Sequence, residues 1–533
     1  MKSLIDLARY SALAVCATSA VFATAGACEQ SWWWWTVAVP ALGLTALGVW
    51  DIVQRRHAIL RNYPLLGHAR FLLESIRPEL QQYFVERNFD GRPYDRAVRD
   101  VVYQRAKGIE AKTAFGTERD IYAEGHEFLA PSMAPRRVHE MPPTVLVGGP
   151  DCTQPYAMSL LNISAMSFGA LSANAILALN KGAQGRFAHD TGAGGISEYH
   201  LRHGGDLIWQ IGTGYFGCRT PEGDFDADAF AAKARHRNVK CVLLKLSQGA
   251  KPGLGGLLPG AKVDTEIAEI RGVPPGRTVA SPPHHRAFST PRELIRFIAH
   301  MRNLAEGKPI GIKLCVGDRV QVVALCKAML AEGVSPDFIV VDGSEGGKGA
   351  APLESAVELG MPLTEGLMTV HNALVGTGLR SRIRIGASGK IATGGDIVKR
   401  LAQGADFTNA ARAMMFALGC IQARACHTNA CPVGVDTQDT RRARALHVTE
   451  KADRVRRYQA ATVRSAQHII AAMGLGSPEQ LHPRMLRGRL GASGEIRSYA
   501  DLYQWLDEEQ LLNDPPESWR GDWHAADPDR FTA

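Results

Sequence analysis

From about residue 145 this chain alternates short apolar runs with helical stretches. The runs are TVLVGG, LLNISAMSFG, GRFAHDTG, IWQIGTG, CVLLKLSQG, PIGIKLCVG, DFIVVDGSEGG, RIRIGASG and ADFTNAARA. Near-continuous apolar strands separated by helices indicate a parallel sheet covered on both faces. Eight or nine such units fit a closed (β/α)8 TIM barrel, an α/β fold, better than an open sheet. Several runs end in glycine or a polar residue: Ser167, Thr191, Gln210, Lys245, Gln248, Lys313, Ser344 and Glu345 gather there. Active sites of such barrels lie at these C-terminal strand ends.

The 533 residues carry a net charge of +8, and 45% are hydrophobic, an ordinary folded composition. The basic run at 441–457 alternates with apolar residues at helical spacing, so a solvated helix face is expected. No nucleic-acid module is present, and none is expected as a partner. Ten scattered cysteines are too sparse for a disulfide scaffold.

Two uncharged segments, 10–28 and 32–50, are each long enough to cross a bilayer as a helix. Trp32, Trp33, Trp34 and Trp35 open the second and Trp50 closes it, which suits interfacial anchors. Lys2 and Arg9 precede the pair; Arg55, Arg56 and Arg61 follow it. The positive-inside rule then places both ends of a hairpin in the cytoplasm. A cleaved signal peptide, with Cys28 as a lipid site, is the alternative. The expected organisation is a two-helix anchor at 1–50, a helical connecting region at 51–140, the barrel with its cysteine segment at 141–440, and a helical extension with a loose tail at 441–533. The expected location is the inner membrane, with the catalytic domain facing the cytoplasm.

Late in the barrel, "ASGKIATGGDIVKRL" and "ADFTNAARAMM" place small-residue turns before helices. Helix N-termini bind phosphate, and barrels of this kind often bind it after strands seven and eight. Lys245 and Lys313 lie inside apolar strands. A buried lysine needs an anionic or acceptor partner, which means a structural ion pair or a cation beside a flavin or acidic substrate. Cys420, Cys426 and Cys431 fall within CIQARACHTNACPVG. Three thiols suit an iron–sulfur cluster that lacks one corner of the cubane, hence one ligand. Zinc completed by His427, or three buried thiols, are the alternatives.

The stretch from about 145 to 440 resembles the FMN-binding synthase part of glutamate synthase. The resemblance rests on SAMSFGALS, LSQGAKPGLGGLLPGAKV, SPPHH, DGSEGGKGAAP and ALGCIQARACHTNACPVGVDTQD. It implies a 3Fe-4S cluster on Cys420, Cys426 and Cys431. It implies FMN held by Met166, Ser167, Gln210, Lys313, Ser344, Gly346, Gly347, Gly389, Gly394, Gly395, Ala411 and Arg412. Lys245, Gln248 and Lys313 are the implied catalytic set, facing the flavin or a 2-oxoacid. The implied reaction is reductive amination of 2-oxoglutarate to glutamate.

The chain departs from that pattern. An apolar hairpin stands where the full enzyme has its ammonia-releasing amidotransferase domain, and there is no room for the C-terminal β-helix. Free ammonia or a separate ammonia-supplying subunit is therefore expected. No NADPH fingerprint or second cysteine-rich domain is seen, so the electron donor or acceptor is expected to be another protein or a quinone. Ala193 replaces the usual acid of the "TGEGG" turn, and Lys348 stands where threonine is commoner. These departures keep two other readings open: oxidation of an amino acid or N-substituted glutamate with a membrane acceptor, or a non-enzymatic electron-transfer protein.

Overall fold

The computed structural model describes residues 9–349, 351–491 and 494–531; Lys2 lies outside them. Eight of the apolar runs form parallel strands, here β1 (Leu161–Ile163), β2 (His189–Asp190), β3 (Leu207–Ile211), β4 (Val239–Lys245), β5 (Ile310–Leu314), β6 (Phe338–Asp342), β7 (Arg384–Ser388) and β8 (Phe407–Ala410). They pair in chain order, and β8 returns to β1 through Thr408 and Leu161, closing the barrel.

The ninth run is not a barrel strand. Thr144–Val147 pairs antiparallel with Tyr156–Ser159. Val147 and Met158 of this hairpin pack against Ala188, Ile208, Cys241, Leu243, Phe338, Val340 and Phe407. They seal the N-terminal end of the barrel. The interior is filled by large residues set against glycines: a Cβ on Gly311 would lie 2.5 Å from the Phe338 ring, and one on Gly386 would lie 2.6 Å from Phe407.

Hydrogen-bonded caps start the surrounding helices. Ser172 caps Ala173–Ala183, and Thr290 with Glu293 forms a capping box before Pro291–Leu304. Thr393 and Asp396 do the same for Gly394–Ala402. The basic run enters the long helix Val448–Ala472, which buries Ala452, Val455 and Tyr458 on one side.

Beyond residue 480 the structure differs from the helical extension and loose tail expected. Leu486–Leu490 and Glu495–Ser498 join Glu127–Leu129 in a three-stranded antiparallel sheet. The last segment is docked: Trp519 is buried, Arg319 pairs with Asp522 and lies 4.3 Å from the Trp519 ring, and Arg292 bonds Asp529 at 2.6 Å. A composition rich in proline and aspartate hid these aromatic and charged anchors.

A first unit, ending at Arg96, contains helices α1 (Ser11–Glu29) and α2 (Trp35–Val53), then Ala58–Asn62 and Leu66–Leu80. The hairpin helices approach closely where glycine permits it; a Cβ on Gly48 would lie 2.6 Å from the Leu13 side chain. The second unit, from Ala97, holds the barrel.

Candidate active site

Side chains alternate across a strand, so the core-facing residues near each strand's start fix what faces inward at its end. Ala188 leads to Asp190, Ile208 to Gln210, Leu243 to Lys245, Gly311 to Lys313, Val340 to Asp342, Gly386 to Ser388 and Phe407 to Asn409. All seven of these polar residues are buried. They form one polar layer above the apolar one, at the end where such barrels do chemistry. Ser388 reaches Ser164 at 3.3 Å.

Lys245 and Lys313 are register partners on β4 and β5. Two buried cations side by side need compensation. Asp342 lies 3.5 Å from the Lys313 amine and also accepts the Gly249 N–H at 2.9 Å. Lys245 donates to Gln248 Oε1 at 3.3 Å. Burial first, then Lys313, brings Lys245 down to about 8. Burial also raises Asp190 to about 6, against the pull of Lys313. His285, from the SPPHH motif, donates through Nε2 to the Lys245 carbonyl at 2.9 Å and accepts at Nδ1 from the Tyr215 hydroxyl at 3.0 Å. Burial lowers His285 to about 4, so it is neutral and fixed as one tautomer.

The loops above this layer meet through their backbones. Gly192, in left-handed geometry, lies so close to Met166 and Ser167 that a Cβ would sit 2.6 Å from the Ser167 nitrogen. Arg271 closes over the same turn. It donates to the Phe168 carbonyl at 3.1 Å and to Ser167 Oγ at 3.5 Å, while its Nε has no partner among the described residues. No carboxylate pairs with it among them, and burial lowers it to about 10. Ala193 lies beside Gly212, whose own Cβ position is 3.5 Å from the Lys245 side chain.

On the other side of the mouth Gly249 lies against the Gly343 carbonyl, and the Ala250 N–H donates to the Ser344 carbonyl at 3.0 Å. Gly346 sits over Asp342, Gly347 takes positive φ beside Ala250, and the Arg412 guanidinium donates to the Glu345 carbonyl at 2.6 Å. Gly389 faces Glu345. Ala411 precedes the seven-residue helix Arg412–Leu418, which has no side-chain cap. The two glycines that open the helix Gly394–Ala402 differ. Gly394 faces the long C-terminal helix, where a Cβ would lie 2.5 Å from the Ala466 nitrogen, whereas Gly395 has only the Thr393 hydroxyl near it.

Cys420, Cys426 and Cys431 lie on one curled loop in which Gln422, Arg424 and Asn429 have positive φ. The Tyr103 hydroxyl donates to the Cys420 carbonyl at 2.7 Å. Burial raises Cys420 to about 12 and Cys426 to about 11, and Asp436 adds to the rise at Cys426. Among the described residues no three His, Cys, Asp or Glu side chains meet around a single ion position. A cubane-type cluster bonds each cysteine to a different iron, so its ligands ring a volume, and an all-sulfur set on one loop has the right chemistry. Asp436, just past the loop, is buried between Lys262 and Lys348, which both pair with it.

The structure thus brings Lys245, Gln248 and Lys313 together with the Met166–Ser167 and Ser344–Gly347 loops. Sequence reasoning did not single out Asp190, Asp342, Arg271 or His285. The two aspartates end apolar runs, in FAHD and FIVVD, and His285 lies in the quoted SPPHH motif; Arg271 has no local signal.

A closed parallel barrel with a buried cationic mouth defines an α/β-barrel enzyme. Residues 150–476 match the family model for the conserved region in glutamate synthase, and the chain belongs to that family of oxidoreductases, which act on CH–NH2 donors. It is 38% identical over 484 residues to "Glutamate synthase large subunit-like protein YerD" of Bacillus subtilis (strain 168), covering 83% of this chain and 92% of that one. It is 33% identical over 336 residues to "Archaeal glutamate synthase [NADPH]" of Methanocaldococcus jannaschii, covering 62% of each chain. Among solved structures, a mandelate oxidase bound to 3,3-difluoro-2-hydroxy-3-phenylpropionic acid is similar with TM-score 0.42 and 15% identity, over 74% of this chain and 98% of that one.

Proposed function

We propose that this protein is an FMN- and iron–sulfur-dependent oxidoreductase that reductively aminates a 2-oxoacid, with 2-oxoglutarate and glutamate as the pair. The observation that carries this reading is the surplus of buried positive charge at the mouth. Arg271 lacks a carboxylate among the described residues, and Lys245 is held by a neutral amide. A dicarboxylate substrate would supply the missing anions.

The polar layer also suits a flavin. Gln210 Oε1 and Asn409 Oδ1 are buried with no partner among the described residues, and each could accept from a ring N–H. Met166, Ser167, Lys313 and the Ser344–Gly347 loop would line the ring, and Gly389, Gly395, Ala411 and Arg412 the phosphate end. Bound FMN supplies two-electron transfer to substrate carbon, and the cluster on Cys420, Cys426 and Cys431 supplies one-electron transfer. An imine, formed from the 2-oxoacid and ammonia with loss of water, gains a hydride at carbon and a proton at nitrogen. Lys245, with a pKa of about 8, holds a proton suited to that task. Neutral His285 positions the end of β4 through the Lys245 carbonyl. Arg271 orients the substrate carboxylate.

Ammonia would come from solution or from a separate subunit. Electrons for this reduction would come from a reduced protein donor; a quinone acceptor belongs to the oxidative reading below. The two apolar helices would anchor the chain in the inner membrane, with the barrel on the cytoplasmic side. A second reading, oxidation of an amino acid or N-substituted glutamate with a quinone acceptor, is favoured by one observation: the turn beside Lys245 carries the methyl of Ala193 and no acid.

The test is anaerobic purification of the full chain, with flavin, iron and sulfide analysis and EPR of the oxidised form. FMN with a three-iron signal, and glutamate formation from 2-oxoglutarate and ammonia with reduced ferredoxin as electron donor, are expected. Zinc in place of iron, or no flavin, would overturn the proposal. Turnover with quinone and an amino acid, but not with ferredoxin, would select the second reading.

A further inference from the structure

We infer that the helix Leu66–Leu80 lies flat in the headgroup region of the bilayer, as an interfacial helix that binds anionic phospholipid. The inference rests on the membrane reading of the hairpin and adds a second contact with the same membrane.

The sequence LGHARFLLESIRPEL is amphipathic. At 100° per residue, Leu66, Leu72, Leu73, Ile76 and Leu80 share one face, and Arg77, Arg70 and then Glu74 follow along one edge of it. In a water-soluble domain the apolar face would be covered. Here it is bare: Leu72 is 64% exposed and Leu73 60%, Leu66, Ile76 and Leu80 are also exposed, and the only buried residue of the helix is Gly67. Exposure continues into Tyr83, Phe84 and Val85. So long an uncovered apolar stripe marks a surface meant for another phase.

The geometry of the hairpin says which phase. Asp51, in the last turn of α2, is buried. It accepts the Leu65 N–H at 3.0 Å and bonds His68 Nε2 at 3.0 Å. The Leu65 side chain also lies 3.3 Å from the Cβ position of Gly48. The amphipathic helix is therefore stapled to the last turn of the second span, beside Trp50, the indole that marks the interface. A helix pinned at that depth with an apolar stripe has the lipid boundary within reach along its length. Charge agrees. Between 54 and 85 there are five arginines, Arg55, Arg56, Arg61, Arg70 and Arg77, against Glu74 and Glu79. Arginines along the border of an apolar stripe reach the headgroup level and favour anionic headgroups.

The test is lipid labelling of the full chain, reconstituted in liposomes whose phosphatidylglycerol carries a photoactivated carbene source on its acyl chain. Labelled peptides are then mapped by mass spectrometry. Labels on α1, α2 and residues 66–80 are expected, and replacing Leu73→Glu with Ile76→Glu should cut the 66–80 label several-fold while the span labels persist. Labelled spans with an unlabelled 66–80 helix would overturn the inference and leave the hairpin reading standing, as would labelling that ignores the double substitution. Unlabelled spans would overturn the hairpin reading itself. Full labelling with phosphatidylcholine alone would remove the anionic preference.

Discussion

Lys245 and Lys313 occupy one height on adjacent strands, and the fold keeps both cations buried. For Lys245 the sign of the stability term is fixed. Its folded pKa, about 8, lies below the ordinary 10.5, so the charged form is disfavoured by folding. That cost is fully present below pH 8 and is relieved as pH rises towards 10.5. Activity runs the other way if the proton is used: kcat/KM should fall above about pH 8, and Lys245→Met should remove that limb while lowering turnover by about 10²-fold or more. Steady-state profiles of both proteins check this, and an unchanged alkaline limb in the variant would rule Lys245 out as its source. Arg271→Gln should raise KM for a dicarboxylate by roughly 10- to 100-fold, the scale of a charge-assisted pair, and leave bound flavin unchanged. Equal loss of flavin would move Arg271 from substrate binding to cofactor binding. The lysines were legible because a charge inside VLLKLSQ or GIKLCV contradicts its surroundings. Arg271 was not, because arginine ending a short polar helix is commonplace, and only the tertiary fold buries it beneath the Met166–Gly169 turn.

At the scale of elements, two adjacent glycines show how one motif serves two purposes. The TGG turn was legible as a helix start with phosphate chemistry, and its sequence cannot say which glycine meets protein and which meets solvent or ligand. Gly394 meets the backbone of Val448–Ala472, a helix more than fifty residues later in the chain. Gly394→Ala should therefore destabilise by about 1–3 kcal/mol, an overpacking effect visible as a lower Tm. Gly395→Ala has room and should leave Tm unchanged; if the phosphate lies there, flavin retention falls instead. The reverse pattern would invert the two roles. The C-terminal segment makes the same point. Trp519 is anchored under Arg319, and Trp519→Ala should cost about 3–5 kcal/mol of local docking, exposing residues 513–531 to limited proteolysis. Barrel strands are legible from local pattern because each is an apolar run. TVLVGG has that pattern too and becomes a hairpin plug, since its partner, Tyr156–Ser159, decides its place.

The whole molecule divides between Arg96 and Ala97. The cysteine loop, the barrel mouth and the C-terminal helix all belong to the second unit, together with the helix whose Tyr103 holds the Cys420 carbonyl. The residues assigned to the redox site all belong to that unit, and the membrane reading assigns location to the first. A chain beginning at Asp90 keeps the Tyr103 helix whole. It should stay soluble without detergent and retain the same flavin and iron per chain as the full protein, which should need detergent for extraction. If the acceptor is a quinone, the full chain in liposomes should turn over with a lipid-dissolved quinone, and the shortened chain should lose that activity while keeping turnover with a soluble dye. Loss of iron or flavin from the shortened chain would mean that the first unit helps build the site. Full-length protein that dissolves without detergent would remove the membrane from the account and leave a barrel enzyme whose electron partner is soluble.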